Sequence, residues 1–190
     1  MNKIRVLHVG LDSHLGGIET FLLSMAKNFD FDKYHFTFLC YKGENPCFYD
    51  ELKALGCDFC FIAGRRDNIV KNRVELNKLF KTAHFDIVHC HQNSLSNSAP
   101  ALIAIKNGAK VIIHSHNSGT IFGKTSLLHK INSFRFPFDK ITPLAVSNLA
   151  GRWMFGNKVQ FQVLDNGIDV KEFKFSESAR ARLPRRQARR

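Results

Sequence analysis

The feature that most constrains this chain is an alternation of two periodicities. Short apolar runs read as strands, and the stretches between them carry apolar residues at helical spacing. Ile4–Val9 is a first strand, followed by a helix over Ile18–Phe29 with Phe21, Leu22, Met25, Ala26 and Phe29 on one side. His35–Cys40 is a second strand, and a helix over Phe48–Leu55 ends at Gly56 in the manner of a glycine C-cap. Cys57–Ile62, Asp86–Cys90 and Lys110–Ile113 supply further strands, with helices over Ile69–Phe80 and from a Ser94 or Ser96 cap to Asn107. After Gly119 the pattern loosens. Leu127–Phe138 is helical in part and stops near Pro137, and Ile141–Val146 is a strand whose Pro143 predicts a sheet edge or a strand start. Ser147 or Asn148 caps a short helix through Phe155, and Val159–Leu164 is the last strand.

Strands alternating with helices of this length predict an α/β, doubly wound, mostly parallel Rossmann-like sheet. Right-handed crossovers then gather the strand ends along one edge, where such sheets bind ligands. Three strands end in polar clusters: Val9–Gly17, His89–Asn93 and His114–Asn117. These are expected to converge on one site.

The connection from Gly10 to Glu19 holds Gly16-Gly17 before a helix, yet it contains neither Gly-x-Gly-x-x-Gly nor a P-loop lysine. Two readings of the glycine pair stand side by side. It allows close approach of a ligand to backbone amides at a helix N-terminus, or it supplies positive φ at the helix mouth with Glu19 satisfying the first turn. His89 and His91, like His114 and His116, lie two apart and share a face if both are in a strand. No acid or cysteine accompanies them at ligand spacing, so no metal site is expected. Clusters of His, Asn, Gln and Ser offer paired donors and acceptors and suit a hydroxyl-rich ligand.

Composition narrows the setting. The chain of 190 residues is 44% hydrophobic, which suits one folded domain. Its net charge of +12 includes six arginines in the last eleven residues, so the remainder carries only +6. That field suits a nucleotide, a phosphorylated lipid or an anionic membrane without choosing among them. Five scattered cysteines predict reduced thiols in a cytoplasmic protein, and the lone Cys57-x-x-Cys60 would point its thiols to opposite faces of a strand. There is no signal-peptide pattern and no apolar run long enough to span a bilayer. Helix-turn-helix and zinc-finger spacings are missing too, so no specific nucleic-acid binding is expected.

The ordered set Gly16–Phe21 (Gly-Gly-Ile-Glu-Thr-Phe), Asp86–His91 (Asp-Ile-Val-His-Cys-His), His114–Asn117 (His-Ser-His-Asn), Ala145–Ser147 and Asn166–Asp169 resembles the N-terminal half of family-4 retaining glycosyltransferases. The likeness is greatest to bacterial enzymes of capsular and exopolysaccharide synthesis. It implies a GT-B architecture in which residues 1–175 form the acceptor-side domain. A second domain, supplying most donor contacts, would follow.

The resemblance implies roles residue by residue. Gly16 and Gly17 match the glycine loop that approaches the donor diphosphate, and His116 matches the histidine near the transferred sugar. His91, His114, Asn117 and Ser147 match acceptor- or sugar-facing positions, and Asn166-Gly167 matches an architectural turn. The substrates implied are a nucleotide sugar and a lipid-linked or glycan acceptor, with no cofactor and no essential metal.

The arginine-rich stretch 176–190 departs from the family pattern and is expected to be a truncated, disordered tail. The chain alone is then expected to be inactive, or else to act beside a separate donor-domain protein. Ile121–Ile141 combines Phe122, Leu127, Leu128, Ile131, Phe134, Phe136 and Phe138 with Lys124, Lys130, Arg135 and Lys140. Two accounts fit this stretch: packing, either in the core or under the second domain expected to follow, or peripheral contact with an anionic membrane at its inner face.

Overall fold

The structure is a computed structural model that describes residues 2–119, 123–167 and Glu177. Seven parallel strands form one sheet: β1 Ile4–Val9, β2 Tyr34–Tyr41, β3 Asp58–Ile62, β4 Ile87–Gln92, β5 Lys110–Ser115, β6 Ile141–Ala145 and β7 Gln162–Val163. Their order is β3-β2-β1-β4-β5-β6-β7, so the chain reverses direction across the sheet between β1 and β4. That reversal is a topological switch point, where the loops after the two strands part and leave a crevice.

Among the described residues six α-helices connect the strands: α1 Gly17–Lys27, α2 Tyr49–Ala54, α3 Ile69–Thr82, α4 Ala99–Lys106, α5 Lys124–Arg135 and α6 Asn148–Phe155. Right-handed crossovers send α1 and α2 to one face and the later helices to the other. The core divides accordingly. Leu7, Val9, Val88, Cys90, Val111 and Ile113 meet Leu76 and Phe80 of α3, Ala104 of α4 and Met154 of α6 on one face. On the other, Val6, Phe36 and Phe38 meet Leu22 and Ala26 of α1 and Leu52 of α2.

Most expected elements are present, with differences at their ends. α1 stops at Lys27, two residues early, because the Asn28 N–H turns back to Met25 O and releases Phe29 to pack on Tyr34 and Phe36. Gly56, at φ +87, closes α2 as expected, its N–H reaching Lys53 O. Neither Ser94 nor Ser96 caps α4. Ser94 Oγ accepts from Ser96 N in a short 3₁₀ turn over Leu95–Asn97, and α4 begins after Ser98 with proline in its first turn. Pro143 neither starts β6 nor lies on an outer strand. It is tolerated because β7 is only two residues long and pairs from Leu144 onward, which leaves Pro143 locally at an edge.

The expected domain boundary at 175, the tail 176–190, Ile121, Phe122 and the Ile168-Asp169 part of the last motif fall outside the described residues, Glu177 apart. No described helix is long and apolar enough to cross a membrane.

Candidate functional site

Strand register builds the centre of the site. In parallel strands, paired residues point to the same face, and His8 pairs with His89 while His91 pairs with His114. Four imidazoles from β1, β4 and β5 therefore stand side by side on the α1 face, and His116 joins them just beyond the end of β5. Ring centroids lie 4.0 Å apart for His89 and His91, and 4.2 Å apart for His114 and His116. Phe21 of α1 covers the group, with its ring 5.2 Å from His114 and 5.4 Å from His116.

Two hydrogen bonds thread the cluster. His8 Nδ1 lies 3.3 Å from His91 Nε2, and His91 Nδ1 lies 3.1 Å from His116 Nε2. Burial strips water from the rings and holds them neutral. The pKa falls to about 3 at His8 and His116 and to about 4 at His114. His89 and His91 are also held well below the usual imidazole range, first by burial and then by repulsion from the neighbouring histidines. Neutral rings keep one lone pair each, so two sets of three nitrogens within 4.8 Å of one another, His8/His89/His91 and His91/His114/His116, have donor chemistry suited to a metal ion.

Above the cluster opens a polar cleft of about 590 Å³ lined by Gly10, Asp12, Gly16, Gly17, Glu19, His91, Asn93, His116, Asn117 and Asn166, among others. Its floor is set by Gly10, at φ +127, whose Cα approaches the His91 carbonyl so closely that a Cβ would collide with it. On the far side stands the N-terminus of α1, which no side chain caps.

The structure separates the two readings of the glycine pair. Neither Gly16 nor Gly17 has positive φ, and a Cβ on Gly17 would meet nothing within 4 Å. Glu19 does not serve the first turn either. It folds back so that Oε1 accepts from Asp12 N at 3.2 Å, bracing the loop. The loop thus needs neither glycine for conformation; Gly17 has open space where a Cβ would sit, whereas a Cβ on Gly16 would come within 2.9 Å of Glu19 Oε2 and push on the carboxylate that braces the loop. What the pair provides is bare backbone facing the cleft.

Of the residues singled out in the sequence, Gly16, Gly17, His91, His116 and Asn117 meet around this cleft. His114 does not line it: the ring has no exposed surface and both its nitrogens lack partners. Ser147 is also placed elsewhere. Its hydroxyl accepts from Ala150 N at 3.1 Å and caps α6, which is the structural reading of that residue. Asn166 joins the cleft wall, a place beyond the architectural turn expected of it. His8, Phe21, Asp12 and Gly10 were not singled out. The only sequence signal for His8 is a polar residue inside an apolar strand. Cys57 and Cys60 stay thiols, their pKa pushed by burial to about 11 and about 12, and neither joins a metal-capable group among the described residues.

A second cavity, of about 840 Å³ and largely apolar, lies on the same face of the sheet farther from the strand ends. His8, His89 and Phe21 line this cavity whereas His91 and His116 line the polar cleft, so the histidine row separates an apolar hollow from the cleft.

A doubly wound parallel sheet with a polar cleft at its switch point defines a Rossmann-like ligand-binding domain. Residues 15–172 match the Glycosyltransferase Family 4 domain, and the chain belongs to that family. It is 31% identical over 180 residues to a Bacillus subtilis (strain 168) protein named as glycosyltransferase EpsF, a match that takes in 89% of this chain and 46% of the relative. Among solved structures it is similar to Anabaena Alr3699/HepE, crystallised with UDP-glucose, at a TM-score of 0.65 and 17% identity, over 92% of this chain and 47% of that one. A UDP-N-acetylglucosamine 2-epimerase shares the fold at a TM-score of 0.52 and 17% identity, over 78% of this chain and 43% of its own. The chain spans about half the length of these relatives.

Proposed function

We propose that this domain forms the acceptor-side wall of a glycosyltransferase cleft. A sugar passes there, with retention of configuration and in the hexosyl class, from a nucleotide sugar to a lipid-linked or glycan acceptor of a cell-surface polysaccharide. One observation carries this reading: the backbone of Gly16-Gly17, open at Gly17, shares a single polar cleft with His116 and Asn117. The amides at the start of α1 suit the charge of a diphosphate leaving group, which grows as the sugar departs. The histidine and asparagine opposite suit hydroxyls. Charge on the leaving group is further met by basic side chains of a second domain.

The test is a transfer assay with a panel of nucleotide sugars and lipid-linked acceptors. It is run on the 190-residue chain and on a full-length protein carrying this domain as its first half. Transfer is expected from the full-length form alone. Turnover by the short chain would overturn the need for a second domain, and failure of both forms with every pair would overturn the substrate class.

A membrane role has its own support in α5. That helix presents its polar side inward: His129 accepts from Leu95 N at 3.0 Å through Nδ1, and Asn132 donates to Leu95 O at 2.6 Å. Its apolar side faces out, with Leu127 60%, Ile131 50% and Phe134 90% exposed, beside Lys124, Lys130 and Arg135. Core packing, one competing account of these residues, does not hold for that stripe, although Phe136 is buried. An apolar ridge flanked by cations suits the interface of an anionic bilayer. The domain should co-sediment with liposomes containing anionic lipid, and Phe134→Ser with Ile131→Ser should lower the bound fraction at least fivefold. Equal lack of binding to anionic and neutral liposomes would sink the idea.

A further inference from the structure

We propose that His8 and His91 are positioning residues that fix the tautomer of His116, so that this ring presents an N–H at Nδ1 to the cleft. The inference deepens the glycosyltransferase reading, on which the use of that N–H rests; the tautomer itself follows from the protein alone.

The three rings come from separate elements, β1, β4 and the turn after β5, and are linked by the contacts of 3.3 Å and 3.1 Å. A neutral imidazole has one N–H and one lone pair, and each N···N hydrogen bond needs one of each. His91 sits between the other two, so whichever of its nitrogens carries the proton dictates what both neighbours must offer. Only two arrangements keep both bonds: every proton on Nδ1, or every proton on Nε2.

The inner end of the chain decides between them. His8 Nε2 is buried without a hydrogen bond; of the rings against His8, Phe36 and Phe38 offer no lone pair, and His89, whose own Nε2 is buried and unpartnered, makes no bond to it. A proton on that nitrogen would be a buried donor with nothing to receive it, whereas an unused lone pair costs less. His8 therefore donates from Nδ1 to His91 Nε2, and His91 donates from Nδ1 to His116 Nε2. That leaves the His116 proton on Nδ1, the nitrogen with no protein partner, on a ring that lines the cleft. In the proposed reaction this N–H meets a sugar or acceptor oxygen. A buried histidine on β1 that does not line the polar cleft thus sets the polarity of one that does.

The experiment is long-range ¹H–¹⁵N correlation of the histidine rings in the 190-residue chain at neutral pH. His8, His91 and His116 are expected as Nδ1–H tautomers, and an Nε2–H tautomer at His116 overturns the inference. His8→Asp, ionised at pH 8, leaves only an acceptor at the inner end, so His91 must donate from Nε2 and accept at Nδ1, and the His116 proton should move from Nδ1 to Nε2. His8→Phe leaves His91 Nε2 buried against an apolar ring and, by the same rule, should keep Nδ1–H at His116. An unchanged tautomer in His8→Asp would remove His8 from the role, and if that variant does not fold, the wild-type and His8→Phe spectra decide. Because the spectra need no substrate, a failed transfer assay leaves this result standing, and a wrong tautomer leaves the transfer reading standing.

Discussion

Lowering the pH from 7 to 5 is expected to destabilise the domain by several kcal/mol, well before any carboxylate titrates. An unfolded histidine takes up a proton near pH 6.5, whereas His8 in the fold does so only near 3, and His89 and His91 are likewise held well below 6.5. Over this window the unfolded chain therefore binds more protons than the native one, and stability falls as pH falls. Their contribution is fully present above about pH 6.5 and is lost progressively until the folded values are reached. A histidine whose value falls to about 4 or lower costs about 2 kcal/mol between pH 7 and pH 5, so His8, His114 and His116 together cost up to roughly 6 kcal/mol, a large part of a typical domain's stability, and His89 and His91 act in the same direction. The depressed carboxyl groups of Asp12, Asp86 and Glu75 act the same way but only at lower pH, and each is partly or largely open to solvent screening, so they add little. Urea titrations at half-unit pH steps check this: the midpoint should drop steadily from pH 7 to 5 at constant m-value. His89→Phe should flatten the drop, and a level profile in the wild type would contradict the histidine burial described above.

That cluster also shows what a reader of the sequence can and cannot see. The strands were legible because parallel sheets bury both faces and so write themselves as apolar runs, and the switch point followed from handedness. The His-x-His spacings told that each pair shares a face. Register was not legible, since it depends on how β1 lies against β4, and only register brings His8 beside His89. The cleft-facing histidines are therefore visible as a sequence motif, and His8 behind them is not.

Local chemistry misled in a different way at the glycines. Gly16 and Gly17 stand out as a pair, but the glycine that the backbone requires is Gly10, a single residue with nothing in its neighbourhood to mark it. Its need arises from the His91 carbonyl, some eighty positions away in sequence. Ser147 shows the reverse case. Its place before a short helix announced a cap, and the hydroxyl is spent on that bond, whichever family position it matches.

His116→Ala in a full-length protein carrying this domain is expected to lower kcat by about 100-fold or more, the usual cost of removing one preorganised polar group from a reacting centre. The ring is held neutral, with a pKa of about 3, so it neither carries positive charge nor acts as an acid through protonation at neutral pH. What it offers is a hydrogen bond of fixed direction, braced by His91 at 3.1 Å and by the Phe21 ring. The loss should therefore fall on kcat more than on KM, since orientation matters most as the glycosidic bond breaks. Asparagine, which keeps a donor on a shorter arm, should recover part of the rate, about tenfold over alanine. The ratio of wild-type to His116→Ala rates should stay level from pH 6 to 8, because the ring does not titrate there. Activity of His116→Ala within threefold of wild type would remove the residue from the reacting centre and leave the glycine loop as the cleft's main contribution.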